Sequence, residues 1–223
     1  SGAGIDLGTV TATLQSEVKL LAATGITVKD IDLNASKFSA TATATGGAMA
    51  LNLLTARNLS SLTLTAGLGI TGKDVLLDGS SLTATASAGS ITLPTLTTSN
   101  TSTVTLKALA VTGDIGLTTV TAGNTGITLE AGNNIGTGSV SLDGSTLTAT
   151  ATNGAITLAG TLTVKNLSTA TLSAKGNIQA GDTSLDAGTL NATSSNGSIT
   201  LGTVTAVNDS RAVLDGKGLV KAG

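Results

Sequence analysis

The chain has few of the residues on which most enzymes and most globular cores depend. Its 223 residues include no His, Cys, Trp or Tyr, and only one Phe, one Met and one Pro. Because His and Cys are the usual ligands of zinc, we expect no such metal centre, and the absence of Cys excludes a disulfide scaffold. Aromatic side chains normally bury much of the apolar area of a core. The interior must therefore use Leu, Ile, Val and Ala, and we expect it to be narrow.

Charge is also scarce, and it is not clustered. Lys and Arg number 11 and Asp and Glu number 13, which gives a formal net charge of -2. Without a basic run to neutralise phosphates or aromatic residues to stack on bases, no nucleic-acid partner is expected. No apolar run reaches the length of a membrane-spanning helix. The opening residues lack the pattern of a secretion signal, so we expect any such signal to lie outside this sequence.

What the chain does have is repetition. Thr, Ala, Leu and Gly are its most abundant residues. A disordered chain is not expected, because hydrophobic residues make up 40% of the sequence. A collagen-like chain is not expected either, because no three-residue glycine period occurs. Four segments have closely similar sequences: FSATATATGGAMAL from Phe38, LTATASAGSITL from Leu82, LTATATNGAITL from Leu147 and LNATSSNGSITL from Leu190.

The repeats share one period. An apolar residue, usually Ile, follows each Gly- or Asn-rich turn at intervals of 20 to 24 residues. We predict that these residues form one structural column, the isoleucine column: Ile5, Ile26, Met49, Ile70, Ile91, Ile115, Ile135, Ile156, Ile178, Ile199 and Leu219. The period covers residues 1–223 without an interruption that would mark a domain boundary, so we expect a single repeat segment.

Each repeat alternates apolar and polar residues with period two, which is typical of short strands. Turn dipeptides such as Asp78-Gly79 and Asn153-Gly154 separate these strands. Asn-Gly could also close hairpins of an antiparallel meander, and two repeats together approach the length of a propeller blade. A propeller needs aromatic packing between blades, which is missing here. The sequence therefore favours an all-β protein, a parallel β-helix of about ten coils.

Stacked coils also predict a rule of size. Because a narrow interior has a fixed volume, large and small residues should compensate one another along an inward column. We predict one such column, in which large and small residues alternate except at Leu106 and Leu129: Leu20, Ala44, Leu64, Ala86, Leu106, Leu129, Ala151, Leu172, Ser194 and Val213.

Two sets of Asn and Asp residues share registers. One contains Asn58, Asn100, Asn166 and Asn208, and the other contains Asn34, Asp78, Asp143 and Asp186. A row of carboxylates could hold a cation or a sugar. The sequence favours a column of turns instead, because Asx side chains satisfy their own backbone in turns.

Little in the sequence supports catalysis. Two facing carboxylates could hydrolyse a glycoside, and the candidate pairs are Asp30 with Asp32 and Asp74 with Asp78. Neither pair is accompanied by aromatic residues, His or clustered Arg. A nucleophilic Ser would need a nearby base, and the lone Lys107 and Lys165 are interpreted as solvated strand positions. We expect no enzyme activity, no catalytic residue, no metal and no cofactor.

Two surface patterns remain. One is a series of outward Thr-x-Thr pairs or close substitutes, which resembles the arrays of ice-binding solenoids, although Lys107 and Glu130 interrupt it. We favour the simpler interpretation that Thr suits an exposed strand. The pairs are Thr43/Thr45, Thr63/Thr65, Thr85/Ser87, Thr105/Lys107, Thr128/Glu130, Thr150/Thr152, Thr171/Ser173 and Thr193/Ser195.

The second pattern is the sequon Asn-x-Ser/Thr. These candidate glycan acceptors are Asn34, Asn58, Asn100, Asn166, Asn191, Asn196 and Asn208.

The repeat texture resembles a known family. The stretches SLTATASAGSITL from Ser81, TLSAKGNIQAG from Thr171 and ITLGTVTA from Ile199 are similar to the degenerate repeats of filamentous-haemagglutinin-type exoproteins, the surface adhesins of Gram-negative two-partner secretion. The similarity extends over nearly all of the chain through a loose L-x-A-x-G-x-I-x-L pattern. The family's NPNG-type secretion domain is not among these residues, so the chain would be an interior segment of a longer rod.

The resemblance implies a right-handed parallel β-helix on the cell surface or in the secreted fraction. It implies a structural stalk that mediates attachment to a host receptor, a neighbouring cell or an extracellular polysaccharide, as in virulence and biofilm formation. It also implies an outer-membrane secretion partner. Passenger stalks of autotransporters have the same architecture and stay open as an alternative, as does ice binding.

Overall fold

A computed structural model describes residues 3–223, which form 28 strands joined by turns and no helix. The strands, in chain order, are β1 Ile5–Thr13, β2 Glu17–Ala22, β3 Ile26–Asn34, β4 Lys37–Ala42, β5 Met49–Arg57, β6 Ser61–Ala66, β7 Ile70–Thr71, β8 Asp74–Asp78, β9 Ser81–Ala86, β10 Ile91–Thr92, β11 Thr95–Ser99, β12 Thr103–Ala108, β13 Ile115–Gly116, β14 Thr119–Gly123, β15 Gly126–Ala131, β16 Ile135–Thr137, β17 Ser139–Asp143, β18 Thr146–Ala151, β19 Ile156–Leu158, β20 Leu162–Lys165, β21 Thr169–Ala174, β22 Ile178–Ala180, β23 Thr183–Asp186, β24 Thr189–Ser194, β25 Ile199–Leu201, β26 Val204–Val207, β27 Arg211–Gly216 and β28 Val220–Ala222.

Every strand from β1 to β25 pairs in parallel with the strand one repeat later, so the chain is a β-solenoid of about ten coils. The prediction of an all-β parallel solenoid is confirmed. We number the coils by the residues they contain: coil 1, 5–25; coil 2, 26–48; coil 3, 49–69; coil 4, 70–90; coil 5, 91–114; coil 6, 115–134; coil 7, 135–155; coil 8, 156–177; coil 9, 178–198; and coil 10, 199–219.

The two sheets differ in regularity. The ten-stranded sheet takes one six-residue strand from each coil, from β2 to β27. The 18-stranded sheet takes a single nine-residue strand from each of coils 1–3 and two shorter strands from each later coil. Pro94 lies at such a break, between β10 and β11, where proline does not interrupt a ladder. Its carbonyl accepts hydrogen bonds from the N–H groups of Thr118 and Thr119.

The isoleucine column is a continuous file in the 18-stranded sheet. Successive members pair directly with one another from Ile5 to Ile199. The assignment of Leu219 to this column is wrong, because Val220 pairs with Ile199. Leu219 lies one residue before Val220 in the chain, outside the column, and is 67% exposed. The sequence offers two adjacent apolar residues at this point, and only the strand register distinguishes them.

The predicted size column needs a similar correction. The residues that stack on Leu20 form what we call the Leu20 column: Leu20, Ala40, Leu64, Ala84, Leu106, Leu129, Ala149, Leu172, Ala192 and Leu214. The alternation of large and small residues and its interruption at Leu106 and Leu129 hold for this corrected set. The assignments that were wrong are Ala44, Ala86, Ala151, Ser194 and Val213.

The cause of these errors is turn length, except at Val213, which was counted back from Leu219 instead of Val220. Three residues separate β6 from Ile70, whereas four separate β9 from Ile91. A count of six residues back reaches Leu64 from Ile70, but from Ile91 it reaches the outward Thr85, which lies between the inward Ala84 and Ala86. Ala86, Ala151 and Ser194 belong to a neighbouring inward column of small residues. Because alternate residues face inward, a slip of two leaves the pattern unchanged and is hidden in the sequence.

Compensation in size occurs within each coil, across the two sheets. A second inward column, which we call the Ala12 column, has the opposite phase: Ala12, Leu33, Ala56, Leu77, Thr98, Ala122, Leu142, Val164, Leu185 and Ala206. A coil with Leu in one column has a smaller residue in the other. This relation explains the irregularity at Leu106 and Leu129, whose coils have Thr98 and Ala122 in the second column.

Coil 8 deviates most from this relation, since it combines Leu172 in the Leu20 column with Val164, which is larger than the Ala or Thr found beside Leu in the other coils. In this coil the neighbouring inward position of β21 is Ala170, although the residues on which it stacks are Leu147 and Leu190. All three residues of coil 8 are fully buried. The volume added at Val164 is thus removed at Ala170, as close packing requires.

Candidate functional site

The most extensive surface feature is a flat hydroxyl-bearing face on the ten-stranded sheet, which we call the hydroxyl field. It consists of three outward columns through coils 3–9, where Ser or Thr occupies every position except Lys107, Gly126, Glu130 and Asn191. Six-residue strands without a break place these hydroxyls in straight rows, with about 4.8 Å between coils. The members are Ser61, Thr63, Thr65, Ser81, Thr83, Thr85, Thr103, Thr105, Thr128, Thr146, Thr148, Thr150, Thr169, Thr171, Ser173, Thr189 and Thr193.

Half of the predicted Thr-x-Thr pairs are in register, and half are displaced. The wrong pairs are Thr43/Thr45, Thr85/Ser87, Thr150/Thr152 and Thr193/Ser195. The turn that follows each of these strands has four or six residues, whereas it has three in coils 3, 6 and 8. Coil 5 also has a six-residue turn, but its pair was assigned correctly. The outward residues that occupy the two columns in these coils are Ser39/Thr41, Thr83/Thr85, Thr148/Thr150 and Asn191/Thr193.

The charged interruption in the hydroxyl field is internally neutral. Lys107 Nζ lies 2.9 Å from Glu130 Oε2 in the next coil. Both side chains are about two-fifths exposed, at 37% and 43%, and a pair of this kind contributes on the order of 0–1 kcal/mol. The pair therefore breaks the row of hydroxyls without adding a net charge to the face.

A second set of outward hydroxyls lies on the 18-stranded sheet, and the sequence analysis missed it. In successive coils, two outward Thr or Ser residues lie on either side of one inward residue. Because these Thr-x-Thr and Ser-x-Ser segments recur once per repeat, the sequence contained a signal for this second set. A shallow depression is lined by the last of them together with Asp182. The members are Thr95, Thr97, Thr119, Thr121, Ser139, Ser141, Thr161, Thr163, Ser184, Thr203 and Thr205.

Each coil turns from one sheet to the other at a corner with a left-handed backbone. The corner of each coil begins with a residue whose φ lies between 50° and 60°: Leu14, Ala35, Asn58, Gly79, Asn100, Asn124, Gly144, Asn166, Ala187 and Asn208. Gly and Asn adopt this conformation at the lowest cost. In five coils a second left-handed residue follows: Gln15, Leu59, Thr101, Leu167 and Asp209. The turn interpretation was made for the other set, whose members end strands β3, β8, β17 and β23, one residue before this corner: Asn34, Asp78, Asp143 and Asp186.

The corner Asn residues also bind the preceding coil. Asn166 Nδ2 donates to Asp143 Oδ1 at 2.6 Å, and Asn208 Nδ2 donates to Asp186 Oδ1 at 2.6 Å. Asn58 makes the equivalent bond to Asn34 at 2.7 Å. Hydrogen bonds from Asn166 and then from Lys165 hold the pKa of Asp143 below its ordinary value. These carboxylates thus join neighbouring coils at the corner.

Directly inside the corner lies a ladder of buried hydroxyls, which the sequence analysis also missed. Ser36, Ser60 and Ser80 donate their backbone N–H groups to the Oγ atoms of the Ser residues one coil later, at 3.2 Å. Thr125 and Ser145 continue the pattern at 3.0 and 2.9 Å. Each accepting Oγ also donates to a carbonyl of its own corner. The acceptors are Ser60, Ser80, Ser102, Ser145 and Ser168.

This ladder explains most of the sequons. At Asn34, Asn58, Asn100, Asn166 and Asn208, the Ser two residues later is the residue at the ladder position. Four of these five Ser residues are at most 3% exposed, and Ser210 is partly buried. Asn191 is a half-buried residue of β24, and Asn196 is exposed in the turn that follows. Corner geometry and the ladder therefore suffice to produce the corner sequons, and glycosylation stays a prediction.

Three of the four carboxylates considered for glycoside hydrolysis, those of Asp30, Asp32 and Asp78, are bonded to neighbouring coils, and Asp74 is an exposed residue at the start of β8. Asp30 Oδ1 accepts from Asn52 Nδ2 at 3.0 Å, and Asp32 Oδ1 lies 2.9 Å from Arg57. Asp78 accepts hydrogen bonds from Asn100 and from Ser99. Among residues 3–223, no three His, Cys, Asp or Glu side chains lie close enough to hold a metal ion.

Buried polar groups are fully satisfied. No buried side-chain nitrogen or oxygen within residues 3–223 lacks a hydrogen-bond partner, which is the arrangement expected of a well-formed interior. The same residues contain no helix with the length and hydropathy needed to cross a membrane.

Comparison with known proteins gave no match: no protein-family model, no curated protein and no solved structure is significantly similar to the chain.

Proposed function

We propose that the chain is a stalk segment of a bacterial cell-surface or secreted filamentous adhesin, in which it acts as a rigid spacer. The observation that carries the proposal is the unbroken parallel register between every pair of neighbouring coils from Ile5 to Val220. At about 4.8 Å per coil, ten coils extend for about 48 Å. Such a body separates whatever is attached to its two ends by a fixed distance.

The bonding of the coils suits this mechanical role. Hydrogen bonds between parallel strands join each coil to the next, and therefore run along the rod. The corner bonds from Asn to Asp and the buried hydroxyl ladder connect the same neighbouring coils. A pull along the rod loads all the bonds of an interface together. Because each coil contacts only its neighbours, stability accumulates along the rod as a sum of similar interfaces.

Adhesion itself would then reside elsewhere in the parent protein. The stalk would present a distal region to a host receptor, a neighbouring cell or an extracellular polysaccharide, after export by an outer-membrane secretion partner. An autotransporter passenger stalk is the alternative within the same functional class. It differs in the mode of secretion and makes the same mechanical demands on these residues.

The spacer proposal predicts that length, and not surface chemistry, determines performance. The chain would be displayed on cells with an unrelated binding domain at its distal end, beneath a polymer brush that hides the cell surface. Removing residues 49–90, which are coils 3 and 4, shortens the rod by about 10 Å. We expect capture of a bead-bound ligand to fall sharply in this variant.

The deletion is designed to preserve packing. It stacks Asn100 on Asn34 and Ser102 on Ser36, in place of Asn58 and Ser60. Small-angle scattering would verify that the shortened chain is still a rod. As a matched control, Thr63→Ser and Thr83→Ser alter the surface and leave capture unchanged. The proposal would be overturned if capture did not depend on length, or if the chain without a binding domain attached to cells.

A second candidate function is ice binding, which the straight rows of the hydroxyl field favour. The spacer proposal expects no thermal hysteresis at millimolar protein. Hysteresis that disappears in Thr150→Tyr, but persists in Thr163→Tyr on the other sheet, would support ice binding. In that case Lys107→Thr with Glu130→Thr should increase the effect, since it completes the rows. A native chain without hysteresis would end this candidacy.

A further inference from the structure

Two Asn-Gly sequences lie in equivalent turns of the solenoid. Asn153-Gly154 follows β18 in coil 7, and Asn196-Gly197 follows β24 in coil 9. Both Asn residues are exposed, and each turn leads into a residue of the isoleucine column after the same number of residues. The two sites have nearly the same local sequence, so differences in their chemistry must arise from the surrounding structure.

A hydroxyl group lies beneath one of the two turns and is missing beneath the other. The Gly197 N–H donates to Ser194 Oγ at 2.9 Å, and that hydroxyl in turn donates to the Gly176 carbonyl at 2.6 Å. Ser194 is 2% exposed, so this arrangement is shielded from water. In coil 7 the same column position is Ala151, which has no hydroxyl group. Among the backbone hydrogen bonds of residues 3–223, none has the Gly154 N–H as donor.

From this contrast we infer that Asn153 is a site of spontaneous deamidation and that Ser194 protects Asn196 from the same reaction. In this reaction the backbone nitrogen of the following Gly attacks the side-chain Cγ of Asn. The new N–Cγ bond closes a succinimide ring as the Cγ–Nδ2 bond breaks. The glycine nitrogen loses its proton, and Nδ2 leaves as ammonia. Water then opens the ring at either carbonyl and gives aspartate or isoaspartate.

Glycine favours the attack because it has no side chain to hinder the backbone nitrogen. The hydrogen bond to Ser194 opposes it at Asn196, because the N–H must leave a buried acceptor before its nitrogen can react. A buried acceptor that loses its donor carries a desolvation cost. At Asn153 the side-chain Nδ2 donates to the Gly132 carbonyl at 2.8 Å. This bond must break before the amide can leave, and it restrains the side chain of Asn153 and not the attacking nitrogen of Gly154.

The reaction would alter the rod at one place. Loss of the amide removes the bond from Asn153 to the coil below and adds a carboxylate to an exposed turn. The isoaspartate product also lengthens the backbone of that turn by one methylene group. In a long-lived protein, coil 7 would therefore accumulate damage while the equivalent turn of coil 9 stayed intact.

The test uses the full chain, incubated at mildly alkaline pH and 37 °C, with peptide mapping by mass spectrometry. We expect deamidation at Asn153 to be several-fold faster than at Asn196. Ser194→Ala should raise the rate at Asn196 towards that of Asn153, and Ala151→Ser should slow the reaction at Asn153. Circular dichroism would verify that each variant is folded.

Incubation in concentrated urea supplies the matched control. With the structure removed, both Asn-Gly sites should react at similar rates, so the selectivity must disappear. Equal rates in the folded native chain would overturn the inference. Rates that do not change when the hydroxyl is moved from position 194 to position 151 would overturn it as well.

Discussion

Leu142→Ala is expected to lower the free energy of unfolding by about 2–5 kcal/mol, the range for truncating a buried leucine. Ala149→Leu in the same coil should also destabilise, by about 1–3 kcal/mol, because it overfills a packed interior. Both positions are buried, at 0% and 2% exposure. The double variant exchanges the large and small residues of coil 7 and should recover most of the lost stability. Urea-induced unfolding followed by circular dichroism measures all four proteins.

The matched control separates packing within a coil from packing along the rod. Leu142→Ala with Ala84→Leu makes the same two changes, but places the added side chain three coils away. Distant changes add, so this double variant should be about as unstable as the sum of its parts. If the pair within coil 7 were equally additive, the two columns would not share one volume. The account of the interior would then be wrong.

The second large effect concerns the buried hydroxyl ladder. Ser145→Ala removes the acceptor of the Thr125 N–H, and a buried donor without a partner costs about 1–3 kcal/mol. Ser145→Thr keeps a hydroxyl at this position and should retain the bond. Threonine fits the ladder position in coil 6, where Thr125 Oγ1 donates to the Gly123 carbonyl at 2.9 Å. Ser141→Ala, an outward change in β17, should stay within about 0.5 kcal/mol of the native chain.

Hydrogen exchange gives this prediction a local readout. The Thr125 amide should lose protection in Ser145→Ala and keep it in Ser145→Thr. An equal stability loss in Ser145→Ala and Ser141→Ala, with the Thr125 amide still protected, would refute a structural role for the ladder.

The sequence predicted the features that depend on one strong signal per coil. The isoleucine column is correct from Ile5 to Ile199 because an isolated apolar residue follows each turn, and its neighbours rarely compete with it. The prediction failed at Leu219, because a second apolar residue, Val220, is adjacent and occupies the column instead. The period of about 21 residues favoured parallel pairing, since equivalent strands that stack coil on coil run in the same direction, although the Asn-Gly turns left an antiparallel meander open.

Features that depend on turn length could not be predicted in the same way. The extra residue after β9 displaces Thr85 and Ala86 in any count that starts from Ile91. The period-two pattern then fits Ala84 and Ala86 equally well, because they lie two residues apart and both face inward. The buried hydroxyl ladder was hidden for another reason. Ser next to Asn or Gly has the composition of an exposed turn, and only the closure of the corner places Ser60 and Ser145 inside.

The complementary Leu20 and Ala12 columns have a consequence for inheritance. Each coil fills its own cross-section, so its side-chain volume does not depend on which coil precedes or follows it. Unequal recombination between near-identical repeats can therefore add or delete whole coils and leave every remaining cross-section filled. We therefore expect related genes to differ more readily in the number of coils than in the combination of large and small residues at the Leu20-column and Ala12-column positions of a coil.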